Sequence, residues 1–112
     1  MEPIKQLAGH FHATAQVARE DVAGIAAAGY KSMICNRPDG EAGPDQPSHE
    51  EIAQAAREFG IEFAYVPVVP GRITAEDVEK FKAALAALPA PVLGYCRTGN
   101  RCNQLYQLAN SQ

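Results

Sequence analysis

With 112 residues and 46% apolar side chains, the chain can fill one hydrophobic core, and a single domain over residues 1–112 is expected, since domains commonly run about 100–150 residues. A formal charge of −3 and ten unclustered Lys and Arg residues exclude a basic footprint for nucleic acid, and no window approaches the roughly 18 apolar residues of a membrane span. The start, M-E-P-I-K-Q-L, lacks the segments of a signal peptide, so a cytoplasmic protein without a membrane partner is expected.

Along the chain, I-K-Q-L (4–7) and H-F-H-A (10–13) read as short strands joined by a turn at Gly9. Residues 19–28 place Val22, Ile25 and Ala26 on one helical face, and Gly29 is a natural stop. K-S-M-I-C-N (31–36) has strand length, and the prolines and glycines of R-P-D-G-E-A-G-P-D-Q-P (37–47) make a loop. Ser48, with Glu51 at the third helical position, predicts a capping box and a helix to about Phe59, ended by Gly60. E-F-A-Y-V-P-V (62–68) reads as the next strand. Thr74 and Asp77 then cap a helix that P-A-P (89–91) breaks. V-L-G-Y-C (92–96) is a final strand and 101–109 a final helix. Strands alternating with helices after a hairpin predict an α/β fold with a central, mostly parallel sheet flanked by helices. Ligands in such sheets bind beyond the strands' carboxyl ends. Asn36-Arg37, Pro67 to Arg72 and the loop after Cys96 all lie there.

Three cysteines, Cys35, Cys96 and Cys102, have no metal-ligand spacing, and no cofactor is called for. His10 and His12 would share a strand face but lack a third ligand; a half-exposed strand is the plainer reading. The informative stretch is Y-C-R-T-G-N-R (95–101). A cysteine between a strand and a helix N-terminus has its thiolate stabilised by backbone N–H groups and the helix dipole. Arg97 and Arg101 add positive charge, and Gly99 permits the positive φ that lets N–H groups converge on one point. Together these features predict an anion nest with a nucleophile at its base.

The segments N-R-P-D-G-E (36–41), Y-V-P-V (65–68), I-T-A-E-D-V-E-K-F (73–81) and Y-C-R-T-G-N-R (95–101) resemble the beta-lactamase hydrolase-like, phosphatase-like domain family, similar in fold to dual-specificity phosphatases. Its members occur alone or fused to persulfide-dioxygenase-type domains, and they are described as phosphatases or as sulfur transferases. The resemblance implies Cys96 as nucleophile, Arg101 as the loop arginine and a persulfide-dioxygenase partner. A serine usually follows that arginine in the family; this chain has Cys102, which puts a hydroxyl hydrogen bond to the nucleophile in question.

Two features favour sulfur over phosphate. From Cys96 to Arg101 the loop has six residues, one fewer than cysteine phosphatases generally use, and it matches the rhodanese pattern C-R-x-G-x-R. Phosphatases of this fold also carry an aspartate acid just after the strand equivalent to Y-V-P-V. Val69-Pro70 stands there, and Asp77 is accounted for as a cap. The expectation is a rhodanese-type sulfurtransferase carrying sulfane sulfur from thiosulfate or glutathione persulfide on Cys96. Arg101, Arg97, Thr98, Gly99 and Asn100 form the cradle, and Arg37 binds the donor's anionic groups. A phosphocysteine-forming phosphatase is the alternative, and a non-catalytic anion- or persulfide-binding module the third reading. Asn36, Asp39, Glu41 and Arg72 are possible rim residues, and Cys35 or Cys102 could resolve the Cys96 adduct as a disulfide.

Overall fold

The computed structural model describes residues 1–111. Its five strands are β1 (Lys5–Gln6), β2 (Phe11–Thr14), β3 (Ser32–Cys35), β4 (Glu62–Tyr65) and β5 (Val92–Tyr95), in the order β1-β2-β5-β3-β4. Only β1 runs antiparallel, against β2; the β2–β5, β5–β3 and β3–β4 pairs are parallel. Helices α1 (Val22–Ala27, after a 3₁₀ turn at Arg19–Asp21), α2 (His49–Glu58) and α3 (Ala75–Ala87) provide the crossovers, and α4 (Asn100–Asn110) follows the last strand. This is the expected α/β sheet.

The period of two along β5 divides the core into two layers. Val92 and Cys96 join Phe11, Ile34, Val78, Phe81 and Leu105 on the face covered by α3 and α4. Leu93 and Tyr95 join Val22, Ile25, Met33, Cys35, Ile52 and Ala56 on the face covered by α1 and α2. Each fully buried side chain of this size contributes roughly 1.5–3 kcal/mol. The Phe11 ring meets Phe81 edge-on and stacks on Tyr106, both at 5.3 Å. Gly94 is the small residue that lets this ring lie across β5: a Cβ there would sit 2.8 Å from Phe11 Cζ.

Local chemistry sets most boundaries. Thr74 and Asp77 close the expected reciprocal capping box, each side chain bonding the other's N–H at 3.0 Å. At α2 only half of the box forms, with the Glu51 N–H donating to Ser48 Oγ at 3.2 Å; the N-cap bond is typically worth about 1 kcal/mol. The segment 62–68 is a strand only to Tyr65. Pro67 has no N–H for a ladder, and beyond Tyr65 the chain is tied by N–H bonds from Val66 to Cys35 O and from Val68 to Asn36 O. That tether draws the Val69–Gly71 turn over the carboxyl end of the sheet.

Candidate active site

The loop Cys96–Gly99 joins β5 to α4. Gly99 is the N-cap of α4 with φ 95°, a conformation open to glycine at little cost, and a Cβ there would lie 3.4 Å from Thr14 O. The turn brings the Gly99 N–H to 3.0 Å from Cys96 Sγ. The Cys102 thiol, one residue inside the helix from Arg101, lies beside that sulfur without reaching full hydrogen-bond geometry and is the largest cause of a Cys96 pKa lowered to about 5. Burial opposes this, and the backbone N–H groups of Cys102, Thr98 and Arg101 reinforce it. Cys96 is therefore a thiolate at neutral pH. Burial together with the neighbouring Cys96 sulfur and its charge holds the Cys102 pKa well above its ordinary value.

Arg101 is buried behind the loop. Its Nη1 donates to Glu41 Oε1 at 2.7 Å and Val68 O at 3.0 Å, and its Nη2 to Glu41 Oε2 at 2.8 Å. Arg37, also buried, donates from Nε to Glu41 Oε2 at 2.9 Å and from Nη1 to Gln16 Oε1 at 3.1 Å. The two-pronged hydrogen bond from Arg101, joined by Arg37, holds the Glu41 carboxyl below the usual range despite partial burial. Burial alone would lower the Arg101 pKa, but Glu41 and the Cys96 thiolate hold it above its ordinary value.

A cavity of about 580 Å³ opens over the loop, lined by Arg37, Glu41, Pro70, Arg97, Thr98, Asn100 and Arg101 among others. Five residues expected from the sequence, Arg37, Arg97, Thr98, Asn100 and Arg101, thus surround one space. Gly99 borders a neighbouring cavity of about 460 Å³, with Lys5, Thr14 and Asn103. Cys96, 1% exposed, starts this loop but is not among the residues that line either cavity.

Other candidates fall elsewhere. Asn36 stitches strand ends, with its N–H on Tyr95 O and its Nδ2 on Val66 O. Asp39 accepts from the His49 backbone N–H at 2.7 Å and pairs with its Nδ1 at 2.6 Å. Arg72 is exposed, and Pro70 and Gly71 line the cavity in its place. His12 Nδ1 bonds the Tyr30 hydroxyl at 2.7 Å, and His10 packs against Tyr106. Among the described residues no three His, Cys, Asp or Glu side chains form a metal-binding group, and no helix is long and apolar enough to cross a membrane. Cys35 packs in the α1/α2 layer, across the sheet from Cys96 in the α3/α4 layer. Two features escaped the sequence reading: Glu41 as the shared partner of both arginines, and Cys102 as the largest cause of the lowered Cys96 pKa.

The beta-lactamase hydrolase-like protein, phosphatase-like domain model matches residues 3–112. A beta-lactamase hydrolase-like protein of Xylella fastidiosa is 41% identical over 81 residues, 72% of this chain and 19% of that protein. One from Agrobacterium fabrum is 35% identical over 91 residues, 81% of this chain and 21% of its own length. The chain thus spans about one fifth of these curated relatives. Among solved structures, a Neisseria meningitidis protein provisionally assigned as a phosphatase superposes with a TM-score of 0.83 at 36% identity, covering 96% of this chain and 76% of the other. The core catalytic domain of a PP-IP phosphatase from S. cerevisiae shares the fold, with a TM-score of 0.67 at 17% identity over 88% of this chain and 59% of that one. The parallel sheet and these matches agree: the chain belongs to the beta-lactamase hydrolase-like, phosphatase-like domain family and has a cysteine-phosphatase-like fold.

Proposed function

We propose that the chain is a cysteine-dependent transferase in which Cys96 accepts sulfane sulfur as a persulfide and passes it to an acceptor thiol. The observation that carries this reading is a buried thiolate at the start of a six-residue loop, whose cavity holds, among the described residues, no carboxyl but Glu41, kept ionised by two arginines. The Cys96 thiolate attacks the outer sulfur of the donor. The donor's S–S bond breaks, and its electron pair leaves on sulfite or on a thiolate. The N–H groups of the loop and the free edge of Arg101 bind the charge on the sulfur that remains. An acceptor thiolate then takes that sulfur and Cys96 is regenerated. Sulfite and thiolates leave without a proton, so Pro70 in place of an acid costs nothing. A slim terminal sulfur also reaches a recessed nucleophile more readily than a phosphoryl group with three liganded oxygens.

Phosphoryl transfer is the second reading, and the comparisons support it better than they support sulfur transfer. The family is described as phosphatase-like, and the Neisseria relative and the S. cerevisiae domain are both described as phosphatases. In this chain it requires an acid for the leaving oxygen. Glu41, the carboxylate in the cavity, is held ionised by two arginines and is unsuited to donate. General acid catalysis is typically worth about 10²–10⁴-fold, so any phosphatase activity should be slow.

Intact-protein mass spectrometry after thiosulfate, glutathione persulfide or an aryl phosphate separates the two. A gain of one sulfur atom on Cys96 with a sulfur donor, and slow aryl phosphate hydrolysis, is the expected result. Efficient hydrolysis with no sulfur adduct would establish the phosphatase instead. Pro70→Asp, which sets a carboxyl at the cavity wall, should raise hydrolysis and should not raise sulfur transfer.

A further inference from the structure

Glu41 lines the cavity above the nucleophile, although a carboxylate there repels the anions the loop attracts. Its placement is built. Its loop is pinned by Asp39, which bonds His49 twice, and the His49 ring stacks on Tyr65 at a centroid distance of 3.6 Å. The Tyr65 hydroxyl accepts the Asp39 N–H at 3.0 Å. Glu41 also leaves Arg101 able to bind a ligand. Both protons of Nη1 and one of Nη2 are committed to Glu41 and Val68. The remaining Nη2 proton and Nε–H lie together on the other edge of the guanidinium, which can grip an anion with two bonds. The carboxylate is thus a standing counter-charge: Arg37 and Arg101 are balanced by Glu41 and the Cys96 thiolate. Among the described residues that line this cavity, Arg97, exposed at the rim, is the one cation left over. With the Arg37 and Arg101 side chains 7% exposed and Glu41 20%, solvent screens this arrangement weakly.

We infer that Glu41 sets the charge of the anion the loop accepts, so that singly charged sulfane donors of the alkyl persulfide class are taken ahead of dianions such as thiosulfate or phosphate monoesters. This deepens the proposed function and rests on the Cys96 loop being the anion site. The first negative charge on a ligand meets the free edge of Arg101, the loop N–H groups and Arg97. A second meets the Glu41 carboxylate with no further cation to offset it.

Alkylation of Cys96 by iodoacetamide, slowed by methanesulfonate or by sulfate, tests the inference without turnover. The two anions share a tetrahedral sulfur core and differ by one charge. In the native protein sulfate should protect Cys96 no better than methanesulfonate. Glu41→Gln keeps an oxygen for Arg101 but removes the charge, and should improve protection by sulfate relative to methanesulfonate about tenfold. An unchanged ratio in that variant would overturn the inference. If Glu41→Gln fails to fold, since it strips a buried pair of its anion, the native protein decides alone: roughly tenfold tighter protection by sulfate would count against a charge filter. If neither anion protects Cys96, the anion site itself is wrong, and the proposed function fails with it; a sulfate preference would remove the charge filter only.

Discussion

Strands β3 and β5 lie side by side in parallel register, Cys35 opposite Tyr95, and a cysteine stands at the carboxyl end of each. Cys35 and Cys96 are equally buried, at 2% and 1% exposure. Their chemistry is opposite. Burial pushes the Cys35 thiol pKa up, whereas that of Cys96 is lowered to about 5. The direction of the hydrogen bonds separates them: Cys35 Sγ donates, to Arg37 O at 3.3 Å, and has beside it the Tyr95 hydroxyl, which lacks a partner in full hydrogen-bond geometry. Cys96 Sγ accepts the Gly99 N–H, and the Cys102 thiol beside it is the largest cause of its lowered pKa. A strand end and burial do not make a nucleophile; a ring of donors aimed at the sulfur does.

The largest test of that contrast replaces the accepting sulfur. Cys96→Ser should remove the covalent adduct and lower transfer by roughly 10⁴-fold or more, as loss of a nucleophile commonly does. Adduct formation that persists on another cysteine, located by peptide mapping, would move the site elsewhere.

Arg101→Lys comes next. A lysine keeps the charge but loses the planar fork, so it cannot hold both Glu41 oxygens and Val68 O while presenting an edge to the ligand. Steady-state kinetics should show a loss of about 10²-fold, the size typical of a removed charge-stabilising donor. A variant with native kinetics would reduce Arg101 to a structural counter-ion of Glu41.

Those two residues were legible in the sequence because the loop that holds them is local. A strand, a cysteine, a glycine and a helix start within a few residues specify the nest, and the Thr74–Asp77 box was readable for the same reason. Glu41 was not readable in its true role, since it meets Arg101 across 60 positions of sequence, a separation that no periodicity encodes. Cys102 was visible as a substitution for serine, but its effect on Cys96 depends on how the first turn of α4 is wound beside the loop. The end of β4 was overread because apolar residues continue past Tyr65 after the ladder has stopped.

The third test acts on the thiol beside the nucleophile. Cys102→Ala removes the strongest cause of the lowered Cys96 pKa. A hydrogen bond to a charged group is worth about 1.5–3 kcal/mol, so the pKa should rise by about one to two units. In the native protein alkylation should be near its plateau at neutral pH and decline as pH falls through about 5, where the thiolate is protonated. In the variant the same decline should occur at higher pH, while Cys102→Ser, which keeps a donor, should stay close to native. Superposable profiles for Cys102→Ala would assign the lowered pKa to the backbone N–H groups and the helix terminus alone.

The smallest effect is expected at Cys35, and it checks the other side of the contrast. Cys35 packs across the sheet from Cys96, so Cys35→Ser puts no new group in the cavity. A serine hydroxyl can take over donation to Arg37 O, which limits the cost to the transfer of one polar group into an apolar layer with that hydrogen bond kept. Thermal melting should report a destabilisation of about 1 kcal/mol, and alkylation of Cys96 should keep its midpoint and plateau. Adduct formation should persist within about twofold, because no donor to the nucleophile is touched. If Cys35→Ser instead shifts the Cys96 midpoint, the two strand ends are coupled through the sheet, and the nucleophile's acidity belongs to both cysteines rather than to the loop that surrounds one of them.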